Sequence, residues 1–105
     1  PVAFNIPDDN ALSFALSGSQ GLLIVYQTGS GSSRFAFFSW RTPTGGGNAC
    51  SILWQNSTSF ASSTSVLTGT TGTDGKFTVS SNGGKIYFEN RLGTEVYHGC
   101  VWIAG

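Results

Sequence analysis

Charge is what this chain has least of. Charged residues fill 10% of its 105 positions, and five basic and five acidic side chains cancel to zero; an average soluble domain carries about 25%. A chain so neutral, with its basic residues scattered, offers no electrostatic footprint for nucleic acid. Long apolar runs are missing too: Leu22–Tyr26 reaches five residues, far short of the ~20 that span a bilayer. No basic segment leads into an apolar stretch, so no signal peptide is visible and no membrane insertion is expected. Methionine is absent and Pro1 opens the chain, which reads as a piece or processed product of a longer protein.

Ligand and catalytic groups are equally sparse. Two cysteines and one histidine, without C-x-x-C or H-x-x-x-H spacing, do not make the three or four ligands of a zinc site. Asp8-Asp9-Asn10 matches no calcium loop, since calcium takes six to eight oxygens. No cofactor is implied. Glycoside hydrolysis needs two carboxylates facing across a cleft, and only five exist: Asp8, Asp9, Asp74, Glu89 and Glu95. The three aspartates stand beside turn residues, where turn chemistry is their usual work. Glu89 and Glu95 could approach each other, but exposed ion pairs with Arg91 or Lys85 are the expected arrangement. No G-x-S-x-G elbow is present. The chain is therefore read as a non-enzyme.

What is abundant is glycine (15), serine (15), threonine (11) and aromatic residues (13%). One domain, residues 1–105, fits this length. A hydrophobic fraction of 39% with zero net charge argues against disorder. Short apolar alternation punctuated by Gly, Asn and Ser marks strands and turns. Strands are expected at Val2–Ile6, Ala11–Ser17, Leu22–Thr28, Arg34–Arg41, Ala49–Gln55, Val66–Thr68, Lys76–Ser80, Lys85–Asn90 and Thr94–Ile103. The 56–65 segment reads as irregular, Gly45–Gly47 as a loop or hairpin tip, and Asn82-Gly83 as a type I′ turn. Leu22–Thr28, apolar on both faces, is expected to be buried on both sides or to change sheets. Eight or nine strands at this spacing give an all-β fold: a small antiparallel β-sandwich or barrel, jelly-roll-like. So uncharged a surface should be sticky, and identical neighbours or a larger assembly should bury part of it.

Binding chemistry is what remains. Rings stack on sugar C–H groups while planar polar side chains hold hydroxyls. The candidates are Trp40, Arg41, Arg34, Asn48, Tyr97, His98 and Trp102, with Trp40 and Arg41 at the mouth of the Gly45–Gly47 loop. Trp54 and the phenylalanines are assigned to the core. His98 is a general base, a sugar-contacting donor or simply a partly exposed strand residue, and Trp102 is interfacial or core. Aromatic and Arg side chains also anchor protein contacts, so these residues do not separate sugar binding from oligomerisation. Cys50 and Cys100 could form one disulfide; with no secretory signal, free thiols are favoured. Asn56-Ser57-Thr58 is a formal glycosylation sequon.

Thr70–Val79 (TTGTDGKFTV) and Asn82–Gly93 (NGGKIYFENRLG) resemble the closing strands of phage tail and receptor-binding domains. They are similar in particular to the C-terminal heads of receptor-binding proteins from lactococcal siphophages, and Asn10–Val25 is compatible with how those heads begin. The resemblance implies a small antiparallel sandwich at the virion tail tip or baseplate. It would form a homotrimer, contact other phage tail proteins and bind host cell-surface saccharide without catalysis. Gly45–Gly47 and the two cysteines lie outside the resemblance, so the binding residues rest on side-chain chemistry alone. Two alternatives stay open: a structural virion domain (capsid decoration or tail) without a ligand, and a secreted lectin-like protein with bridged cysteines.

Overall fold

The computed structural model describes residues 2–27, 34–43 and 45–104, the side chains of residues 2, 96 and 97 excepted. Nine strands follow one another: β1 (Val2–Ile6), β2 (Asn10–Phe14), β3 (Gln20–Gln27), β4 (Phe35–Arg41), β5 (Ala49–Gln55), β6 (Phe60–Ser63), β7 (Phe77–Asn82), β8 (Lys85–Asn90) and β9 (Val96–Ala104). They form a sandwich of a five-stranded sheet, β1-β9-β3-β4-β5, and a four-stranded sheet, β2-β8-β7-β6. The outer winding is of jelly-roll type, with first and last strands paired in one sheet (Phe4 opposite His98) and second and penultimate strands in the other (Leu12 opposite Phe88). The middle departs from it, because β3, β4 and β5 run on as a meander within one sheet.

Alternation builds the interior. Leu23 and Val25 on β3, Ala36, Phe38 and Trp40 on β4, and Cys100 on β9 face Phe77 and Val79 on β7 and Ile86 and Phe88 on β8. A chain of rings crosses the gap: Phe4 stacks on Phe88 at 4.9 Å and His98 on Phe77 at 3.9 Å, while Phe60 links Phe77 to Phe38 edge-on. Such pairs add about 0.5–1.5 kcal/mol each beyond the area they bury.

Two expectations about local structure are corrected. The sixth strand is Phe60–Ser63, not Val66–Thr68. It runs parallel to β7, a pairing set by the crossover 64–76 rather than by alternation, and Phe60 anchors it in the core. The β7–β8 turn is also one residue later than Asn82-Gly83. Asn82 pairs with Lys85, and Gly83 and Gly84 take the two positive φ angles, 58° and 82°, that a type I′ turn needs. The Gly45–Gly47 segment does form the tip of the β4–β5 hairpin, where Arg41 pairs with Ala49.

The crossover covers the outer face of the four-stranded sheet, and one carboxylate holds it there. Glu89 is fully buried and accepts three backbone N–H bonds, from Gly69 (2.9 Å), Thr71 (3.1 Å) and Gly72 (2.7 Å). This replaces the expected exposed ion pair. Arg91 instead pairs with Asp9 (3.1 Å) and Asp74 (3.6 Å), and Glu95 lies exposed. Asn90 joins the sheets, donating to the carbonyls of Ile6 and Thr94, both at 2.8 Å, and accepting from Leu92 N–H. A Cβ on Gly72 would stand 2.5 Å from Glu89 Oε1 and 2.9 Å from Thr78 Oγ1.

Glu89→Ala should therefore strand one buried and two part-buried donors and lower stability by about 2–3 kcal/mol. Gly72→Ala should act in the same direction, and thermal denaturation followed by circular dichroism measures both. Unchanged melting in both variants would contradict this role for the cradle.

Candidate functional site

The outer face of the five-stranded sheet carries the features that the fold leaves unused. On β3, Leu22 and Ile24 point away from the core; Phe37 on β4 and Val101 and Ile103 on β9 join them. The doubly apolar β3 is thus neither buried on both sides nor shared between sheets: its second face is open. A β-bulge on β5 enlarges this field. Phe38 pairs with Ile52 but Phe37 pairs with Trp54, leaving Leu53 as an extra residue. A bulge sets two residues against one and shifts the phase of alternation, so Leu53 and Trp54 both turn outward. Trp54, assigned to the core on alternation with Cys50 and Ile52, is 49% exposed. It packs against Phe35 (5.2 Å) and Phe37 (5.9 Å) in an aromatic cluster on this face. A depression of about 200 Å³, lined by Leu22, Ile24, Phe37, Leu53, Val101 and Ile103 over Leu23 and Phe38, lies within the field.

A second, wider groove of about 380 Å³ adjoins it at Leu22 and is lined by Gln20, Gly21, Leu22, Ser39, Trp40, Arg41 and Ala49. Here the chemistry is mixed. Gln20 and Arg41 pair across β3 and β4, and Ser39 stands beside them. Arg41 Nη1 donates to Gly47 O at 3.1 Å, which fixes the guanidinium against the glycine tip. Gly47 has φ +78°, and a Cβ there would lie 2.9 Å from Arg41 Nη1. Gly21 lines the groove with its backbone, and a Cβ there would run into the Ile103 carbonyl.

Of the seven residues singled out for saccharide, the six whose side chains are described do not meet at one place. Trp40 is corrected from surface ring to core ring: it is 3% exposed, and only the strand it sits on contributes to the groove. Its Nε1 finds no hydrogen-bond partner among the described residues. His98 is buried in the stack with Phe77 because its parity on β9 points inward, as does Trp102, half-buried and tilted against Phe14. Asn48 accepts from Thr42 Oγ1 at 3.0 Å and supports the hairpin. Arg34 lies beyond the opposite end of β4, ~23 Å along the strand from Arg41 at ~3.3 Å per residue. The side chain of Tyr97 lies outside the described residues. Arg41 alone of the set lines the groove with its side chain available; Gln20, Ser39 and the apolar field were not singled out. The field was foreshadowed by β3's doubly apolar sequence, whereas nothing in the sequence distinguishes Gln20.

Among the described residues no group of three or more His, Cys, Asp or Glu side chains could hold a metal. Cys50 and Cys100 are free thiols. Cys50 Sγ donates to Val79 O at 3.5 Å. Burial pushes the Cys50 thiol up to about 12 and the Cys100 thiol up to about 11. Comparison with protein-family models, curated proteins and solved structures finds no significant match.

These thiols are protonated in the fold well above their ordinary value of 9.0. The folded state holds their protons longer than the unfolded chain does, so this contribution is complete below pH 9.0 and fades as pH rises toward about 11 and 12. At neutral to mildly alkaline pH a thiol reagent should react slowly with native protein and rapidly with two groups after denaturation. Equal rates in both states would count against the burial described.

Proposed function

We propose that this domain is a non-enzymatic recognition head that attaches a virion, at its tail tip or baseplate, to saccharide on a host cell surface. The observation that carries this reading is the open groove beside Gln20, Ser39 and Arg41. Saccharides present hydroxyls in fixed directions around an apolar ring. Arg41 supplies several donors in a plane, Gln20 both a donor and an acceptor, and Ser39 a hydroxyl, while Leu22 offers apolar contact. The groove is shallow and rests on paired strands, a rigid platform for a weak, directional ligand. Weak single sites are useful when many act together, as in a multivalent head. The likeness of residues 70–93 to phage receptor-binding heads supports the same reading, and the free thiols favour it over a secreted protein with bridged cysteines.

A glycan array and binding to purified bacterial cell walls test it. Wild-type domain should bind. Arg41→Ala and Gln20→Ala should each weaken binding about tenfold, the loss of one hydrogen-bonding group worth roughly 1.4 kcal/mol, with melting temperatures unchanged. Binding to no cell wall or glycan, or binding indifferent to both substitutions, would sink the reading.

A further inference from the structure

We infer that the apolar outer face of the five-stranded sheet is covered by a second copy of this chain. Leu22, Ile24, Phe37, Leu53, Trp54, Val101 and Ile103 are each 38–69% exposed and occupy four neighbouring strands, β9, β3, β4 and β5. Together they leave several hundred Å² of apolar surface open, toward the upper end of the ~300–600 Å² patch found on monomers.

Composition selects the occupant. Among the described residues no charged side chain interrupts the field; Arg34 and Arg41 stand at the two ends of β4. Transient partners meet on surfaces as polar as the rest of a protein, whereas homo-oligomer interfaces are more apolar and depleted of charge. The open area approaches the ~800 Å² per partner of a stable interface. A zero net charge adds no long-range repulsion between copies. The Leu53 bulge is then an interface device, since it places two consecutive large side chains on the contacting face.

This inference does not rest on the saccharide reading, because Leu53 and Ile103 lie outside the polar groove. Sedimentation velocity and light scattering over a range of concentrations read it directly. Wild-type protein should be a discrete oligomer. Leu53→Glu combined with Ile103→Lys should weaken self-association at least about tenfold while retaining the β spectrum and cooperative melting. Lys85→Glu, on the other sheet, should leave it unchanged. Should the paired variant fail to fold, Val101→Thr with Leu53→Ser gives a milder form of the same test. A wild-type monomer at high concentration overturns the inference, even if it binds neutral phosphatidylcholine vesicles or a different protein. An oligomer untouched by the face variants also overturns it.

Discussion

A five-stranded sheet with apolar side chains on both faces has one four-stranded sheet to cover it, and the molecule's organisation follows from that mismatch. Burial of Leu23, Val25, Ala36, Phe38 and Cys100 against Phe77, Val79, Ile86 and Phe88 makes the apolar interior. The residues between them on β3, β4 and β9 are just as apolar but face outward. On the other sheet the relation is inverted. Thr78, Ser80 and Glu89 are polar, yet the 64–76 crossover buries them. Apolar surface is left open while polar surface is enclosed: the enclosed polar layer has a structural task, and the open apolar layer is the face for which self-association is inferred above.

With so few charges, backbone amides and small polar side chains do the stitching that ion pairs do elsewhere. Glu89 collects three amides of the crossover, Asn90 reaches Ile6 and Thr94, and Ser81 donates to the carbonyls of Arg41 and Ala49 across the sandwich. Thr42 accepts from Gly84 N–H and donates to Asn48, tying the β4–β5 hairpin to the β7–β8 turn. Buried groups satisfied in this way fix one arrangement, because a displaced partner leaves a desolvated donor or acceptor. The groove beside Arg41 inherits its rigidity from this end of the molecule. The glycine tip holds the guanidinium through the Gly47 carbonyl, while Ser81 holds the strand ends beneath it.

The proposed saccharide groove and the inferred self-association face are parts of one sheet surface that meet at Leu22. Covering the apolar field with a second copy would leave the groove at the rim of the contact, where polar side chains remain wet. Several such rims on one assembly present repeated weak sites, the arrangement in which avidity replaces tight single-site binding.

Composition and alternation by themselves determined the β class, eight of the nine strands, most of the core and the position of the glycine hairpin tip, because side chains alternate across a strand with a period of two. They also determined that β3 would carry apolar groups on both faces. Tertiary structure alone decided which face is covered. A one-residue bulge at Leu53 moved Trp54 from the expected core to the surface, and strand parity with tight cross-sheet packing drew Trp40 and His98 inside. The pairing of β6 with β7, the enclosure of Glu89 and the shift of the turn to Gly83-Gly84 likewise depend on partners far along the chain. Local pattern states how a strand is sided, but burial is a property of whatever packs against it, and a single bulge reverses the siding of every residue beyond.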